Sequence, residues 1–303
     1  MKSLLRYLLR LWAKIGVAPG ILHQWVDQYS QTLHVPNLKR SVIGKNVIQC
    51  NLKDHVQSRI YFLGAYEPIE AFLFMELIKP DMHIIDAGAN IGFYSLIASS
   101  KLSERGKVFS FEPVPSNYEQ LEYNIKKSNN SKIEVIKMGL WNKEDTLKFS
   151  LDETHSDNHG SFTAGKVTNS SQYFECPVNS LDSLLDNETI PKVDLIKMDI
   201  EGSELFALQG AIKSIESYKP TILMEINKFA CNSFGYSSTE IDSLLLPLGY
   251  KIFKVESLPE NSGYMDSTES ITQSNVFYIS PKDQQRFKDQ WDYKKIKKMF
   301  ASY

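Results

Sequence analysis

The chain has 303 residues, enough to bury a full core in one or two domains, and its 42% hydrophobic and 23% charged content is that of an ordinary soluble globular protein. The formal net charge of −2 lacks the basic excess that a nucleic-acid partner requires. Cys50, Cys176 and Cys231 are scattered and form no CxxC pair, which excludes a disulfide framework or zinc site and leaves buried thiols in a reducing compartment.

At the N-terminus, Lys2, Arg6, Arg10 and Lys14 recur every fourth residue among Leu4, Leu5, Leu8, Leu9, Leu11, Trp12 and Ile15. The charges forbid a membrane span, and no small-residue cleavage site follows to mark a signal peptide. A basic amphipathic helix fits two expectations, packing on its own protein or peripheral contact with an anionic membrane. From there the pattern alternates as an open α/β sheet requires. A helix over Ile69–Ile78 precedes a strand at Ile84–Asp86, a helix at Gly92–Ser100 and a strand at Val108–Phe111. A helix at Tyr118–Lys127, introduced by Pro115 and capped by Ser116, leads to a strand at Ile133–Ile136. Short alternating runs at Thr146–Leu151 and Gln172–Val178 flank a polar loop. Then come a strand at Leu195–Met198, one helix from Ser203 to Tyr218, and a strand at Thr221–Ile226. A helix near Ser238–Leu246 and strands at Lys251–Val255 and Asn275–Ile279 complete the pattern, and the tail from Lys282 to Tyr303 is again basic and amphipathic. The expected division is an extension over 1–60, a catalytic domain over 61–281 and a tail over 282–303.

Two clusters carry chemistry. IIDAGANIG places Asp86, Gly88, Asn90 and Gly92 in a strand–turn–helix where a ligand can approach the backbone and meet unpaired amides. About twenty residues past Gly92, Glu112 ends the next strand, placed to accept from two ribose hydroxyls. A nucleoside is expected here. The third glycine of a dinucleotide site is missing, which disfavours a nicotinamide-dependent oxidoreductase, and Asp86 suits an ammonium or sulfonium better than a pyrophosphate. In LIKMDIEGSELFALQGA, a buried strand delivers Asp199 and Glu201 to its carboxyl end. Asp86, Glu112, Asp199 and Glu225 should line one crevice at successive strand ends. Phe93 and Tyr94 read as packing residues, whereas Trp141, after the third strand, is placed to cover an adenine ring.

DAGANIGFYS, FEPVPSNYEQLEYNI, SLDSLL, DLIKMDIEGSELFALQGA and KPTILMEIN together resemble the FkbM-type methyltransferases, over roughly Glu67 to Asn227. The resemblance implies a seven-stranded Rossmann-like class I sheet with S-adenosylmethionine as donor, to which the sequence pattern adds helical extensions at both ends. It also implies O-methylation of a hydroxyl on a sugar, glycolipid or natural product. Gly88 and Asn90 would meet the methionine part, Glu112 the ribose, and Asp199 and Glu201 the acceptor. The proton of that hydroxyl must be taken by a base or its oxygen held by a metal. Asp199, Glu201, His155 and His159 are the candidate bases. Asp199, Glu225 and Asn227 are the alternative ligand set for a Mg²⁺-like ion. A non-catalytic domain that kept the fold is the remaining alternative. The expected location is cytoplasmic or membrane-peripheral.

Overall fold

The structure is a computed structural model and describes residues 2–15, 19–42, 46–151, 162–164, 173–256 and 262–290. The chain opens with two helices, α1 (Lys2–Ile15) and α2 (Pro19–Leu33), a hairpin of β1 (Leu38–Ser41) and β2 (Val47–Cys50), and α3 (His55–Leu63). Asp54 caps α3 by accepting from the Gln57 amide. Next come α4 (Pro68–Leu77), β3 (His83–Ala87), α5 (Phe93–Ser99), β4 (Lys107–Phe111), α6 (Pro115–Lys127) and β5 (Ile133–Ile136). Helix α6 starts three residues before the expected point. Pro115 occupies its first turn, where a missing amide costs nothing, so Ser116 lies inside the helix and is not its cap.

Strands β6 (Gly139–Leu140), β7 (Asp145–Leu151), β8 (Phe162–Ala164) and β9 (Tyr173–Asn179) form a separate sheet in the order β6-β9-β7-β8. The chain then continues through α7 (Leu181–Asp186), β10 (Leu195–Met198), α8 (Glu204–Gln209) and α9 (Ile212–Tyr218) to β11 (Thr221–Asn227). The single helix expected over Ser203–Tyr218 is thus two helices. The break falls at Gly210, where a Cβ would lie 2.1 Å from the Trp141 carbonyl oxygen. Last are α10 (Lys228–Ser233), α11 (Ser238–Leu245), β12 (Lys251–Lys254), β13 (Gly263–Met265), β14 (Gln273–Ile279) and α12 (Gln284–Gln290).

The main sheet has eight strands, ordered β13-β12-β14-β11-β10-β3-β4-β5. Seven of them are the expected strands. The eighth is the three-residue β13, which adds antiparallel to the free edge of β12 and is too short to show as a periodic run. The five strands from β5 to β11 are parallel, and β14 runs antiparallel between β11 and β12. Successive residues point to opposite faces. Ile84, Leu195 and Leu223 therefore join the core under α1–α6, while Ile85, Ile196 and Met224 join the core under α7–α9 and α11. Strand order reverses between β3 and β10, which opens the crevice at their carboxyl ends.

Helix α1 packs on α2 and α3 through buried Leu9, with Leu5 and Trp12 beside it. Two members of the basic stripe are used internally: Arg6 donates to the Leu33 carbonyl at 2.9 Å, and Arg10 lies 5.3 Å from the Tyr61 ring centre. At the other end, Phe287 of α12 is buried against Phe253 and Phe277. Residues 291–303, the remainder of the expected basic tail, lie outside the described residues. No helix among the described residues is long and apolar enough to cross a membrane. The three cysteines are buried and unbridged.

Candidate active site

Where β3 ends, the chain turns away through Gly88 (φ 76°), Asn90 (φ 50°) and Gly92 (φ 92°). The amides of Gly88 and Ala89 both donate to the Phe111 carbonyl, at 3.0 and 2.9 Å, locking the turn to the end of β4. Two of these glycines are required by contact as well as by φ. A Cβ on Gly88 would lie 1.9 Å from the Asp199 carbonyl oxygen, and one on Gly92 would lie 2.6 Å from Leu121. The turn is therefore pressed directly against the end of β10.

Glu112 follows β4 and is buried. Its two oxygens accept from the backbone amides of Asn90 (2.7 Å) and Val114 (2.9 Å). Burial pushes its pKa up to about 7 against those two hydrogen bonds and the charge of Lys197. Each carboxylate oxygen can accept more than one hydrogen bond, so acceptor capacity remains on the side that borders the cavity.

On β10, Lys197 and Asp199 are two residues apart and share a face with Asp86 of β3 and Glu225 of β11. Lys197 Nζ is 3.1 Å from Asp199 Oδ2 and 5.0 Å from the centre of the Tyr94 ring. Burial alone would lower the lysine, but Asp199, Asp86 and Glu67 hold it above its ordinary value. Beyond Asp199, Glu201 takes the left-handed conformation (φ 54°) that turns the chain into α8. Burial, then the charges of Asp199 and Glu225, push its pKa up to about 8. Glu204 is the structural acid of this cluster, accepting from the Ile200 amide at 3.1 Å and the Tyr236 hydroxyl at 3.3 Å.

Gly88, Asn90, Glu112, Trp141, Asp199, Glu201, Glu225 and Asn227 all border one cavity. Asp86 does not. It is buried below the turn, where its carboxylate accepts from Ser95 Oγ at 2.5 Å and pins the start of α5. It reaches the cavity only through Lys197. Gly92 likewise shapes the turn without bordering the cavity. Trp141 is stacked on Phe206, with ring centres 4.3 Å apart and planes 16° apart, so one of its faces is already covered. Phe93 and Tyr94 are buried packing residues that also reach the wall. Of the alternative metal ligands, Asn227 Oδ1 accepts from the Phe229 and Ala230 amides to cap α10, and Glu225 accepts from Gln273 Nε2 at 2.6 Å; no group of three or more His, Cys, Asp or Glu among the described residues is placed to hold a metal. His155 and His159 lie outside the described residues.

Several wall residues escape a linear reading. Lys197 is the most important, and a signal was present: a lone lysine in an apolar strand run, two residues before Asp199 and therefore on its face. Tyr66 borders the cavity next to Glu67, which accepts from Asn275 Nδ2 (2.7 Å) and the Tyr94 hydroxyl (3.2 Å). Burial pushes Glu67 up to about 8. Val56 of α3 and Phe174 of β9 come from outside the main sheet, and no local motif marks them.

The donor set suits a cationic nucleoside. The Gly88–Ile91 turn forms one wall, Glu112 offers acceptors to a diol, and Asp199, Glu201 and Glu225 outnumber the one lysine bordering the cavity among the described residues. A family model described as the Methyltransferase FkbM domain matches residues 86–252. The hexuronic acid methyltransferase AglP of Haloferax volcanii is 28% identical over 156 residues, which are 51% of this chain and 60% of that protein. Methyltransferase sdnD of Sordaria araneosa is 27% identical over 154 residues, covering 42% of this chain and 59% of that protein. The chain thus spans about three-fifths of the length of these curated relatives. Among solved structures, the methyltransferase FkbM from Methylobacillus flagellatus aligns over 74% of this chain and 53% of that one, at 20% identity and a TM-score of 0.43. With the family model covering more than half of its length, the chain belongs to the FkbM methyltransferase family.

Proposed function

We propose that the protein methylates a hydroxyl oxygen of a sugar, glycolipid or related natural product. Glu201 carries this reading: a carboxylate on the cavity wall, held in a left-handed turn beside Asp199 and Glu225, with its pKa pushed up to about 8. A base with a pKa near the working pH serves best as a proton acceptor in the transition state, and an aliphatic hydroxyl must lose its proton as the new bond forms. S-adenosylmethionine supplies the electrophilic methyl group. Glu112 and the Gly88–Asn90 turn hold and orient the nucleoside, and Val114 and Leu140 give apolar wall beside it. Lys197 fixes Asp199, so that Asp199 can accept the hydroxyl and aim it while Glu201 receives its proton. Holding the reacting atoms in line supplies most of the remaining rate.

Four carboxylates and one lysine, already paired with Asp199, border the cavity among the described residues. A hydroxyl on an uncharged ring therefore meets less repulsion there than one beside a carboxylate. The named activity of the Haloferax relative supports a sugar acceptor, while the charge of this wall supports a neutral one.

The test is transfer of labelled methyl from S-adenosylmethionine to a panel of neutral glycosides, hexuronates, glycolipids and amines, with and without EDTA. The expected product is an alkali-stable ether on a neutral sugar. Asp199→Asn and Glu201→Gln should each lower turnover about 10²-fold while S-adenosylhomocysteine still binds. Transfer to amines, or binding without transfer to any hydroxyl, overturns the reading, and loss of activity in EDTA restored by Mg²⁺ replaces the base with a metal.

A further inference from the structure

Helix α1 has two apolar faces, and the fold uses one. Leu5, Leu9 and Trp12 face the core. Leu4, Tyr7, Leu8, Leu11 and Ile15 follow one another at helical spacing along a second side and stand exposed, from 41% for Leu11 to 63% for Ile15. On the neighbouring α2, Ile21 and Trp25 are exposed one turn apart. Seven of the ten large exposed hydrophobic side chains among the described residues thus lie on these two helices, which is a concentrated patch and not ordinary scatter.

The charge around the patch selects its partner. Helix α1 contains four basic residues and no acid, and Lys2 and Lys14 stand exposed at its two ends. The first acid on α2, Asp27, is engaged by Arg59 of α3 at 3.0 Å. Two copies of α1 laid face to face would bring their exposed Lys2 and Lys14 together with no acid on either helix to neutralise them. An anionic phospholipid surface instead accepts the leucine face between its acyl chains, the lysines at its headgroups, and Tyr7 and Trp25 at the boundary. We infer that the outer face of α1 and α2 docks the protein on anionic membrane. Helix α3, which packs on both, contributes Val56 to the cavity wall, so the docking face lies one helix layer from the site. The inference stands on the helices alone, independently of which acceptor the cavity takes.

The experiment is vesicle co-sedimentation of the full chain with phosphatidylcholine, alone or mixed with phosphatidylglycerol, at low and high salt. Sedimentation should require phosphatidylglycerol and weaken as salt rises. The double variant Leu8→Glu/Leu11→Glu should lose more than about tenfold in vesicle affinity. Lys2→Gln/Lys14→Gln should lose about tenfold, on anionic vesicles only. Both variants should keep their melting temperature and their affinity for S-adenosylhomocysteine. If the glutamate variant does not fold, the lysine variant decides. The inference fails if wild type sediments with neither vesicle or both variants sediment as well as wild type. It also fails if light scattering shows a dimer that the glutamates dissolve without any vesicle binding, or if vesicle binding appears only after removal of residues 291–303.

Discussion

Glu112 and Lys197 are each held by more than one neighbour, and that makes their substitutions informative. On the proposed ribose role of Glu112, Glu112→Ala should lower S-adenosylhomocysteine affinity ten- to a hundredfold, about 1.5–3 kcal/mol, by calorimetry. The pKa of Glu112, pushed up to about 7, adds a pH signature. Its protonated form loses acceptor capacity, so affinity should fall about tenfold from pH 8 to pH 6 and become insensitive over that range in Glu112→Gln. Lys197 lowers the pKa of Glu201 from the side of Asp199. Lys197→Met should therefore move the acidic limb of the kcat/KM profile to higher pH, whereas a purely structural lysine would lower activity equally at every pH.

At the scale of elements, the parallel strands were legible because β3, β4, β10 and β11 are buried on both faces and read as continuous apolar runs. One wall of the cavity was legible for a related reason: Gly88, Asn90 and Glu112 lie within one strand–turn–helix unit and the strand after it. What stayed hidden depends on contacts distant in sequence. The helix expected through Gly210 fails because the chain there presses on the Trp141 carbonyl, sixty-nine positions away in the numbering, a contact no local propensity carries. Trp141 itself borders the cavity, but its stacking on Phe206 follows from the same docking of α8 on the second sheet. Helix propensity says Gly210→Ala should stabilise by about 1 kcal/mol. The contact says the reverse, and urea unfolding should show a loss on the scale of core overpacking, about 1–3 kcal/mol. A gain would mean that the chain relaxes around the added methyl.

For the whole molecule, buried acids dominate the pH dependence of stability. Burial holds Glu67 and Glu201 at about 8, and Glu112 and Glu204 at about 7, all well above the ordinary carboxylate value. Between pH 6.5 and 8.5 the folded chain thus keeps protons that the unfolded chain has released, so stability falls as pH rises. His23, His34 and His83, lowered chiefly by burial, act in the opposite sense below their ordinary value, which confines the effect to that window. The melting temperature without ligand should be several degrees lower at pH 8.5 than at pH 6.5, and Glu67→Gln should flatten the slope. A flat profile in the wild type would show that these acids are charged at neutral pH.

Between β5 and β10 of the main sheet the chain runs through the second sheet, and within it Trp141 and Asn179 are joined by a backbone hydrogen bond of 2.9 Å. The excursion between them begins and ends at one point, so lengthening it adds closure entropy only logarithmically and puts no tension on the donor turn or β10. Its wall residues, Phe174 and Val178, border the cavity together with those parts. The proposed donor-binding parts and the segment carrying Phe174 and Val178 are therefore separable. Grafting the 142–178 segment of another family member should transplant acceptor preference while leaving donor affinity where it was, a route by which one fold can serve many acceptors.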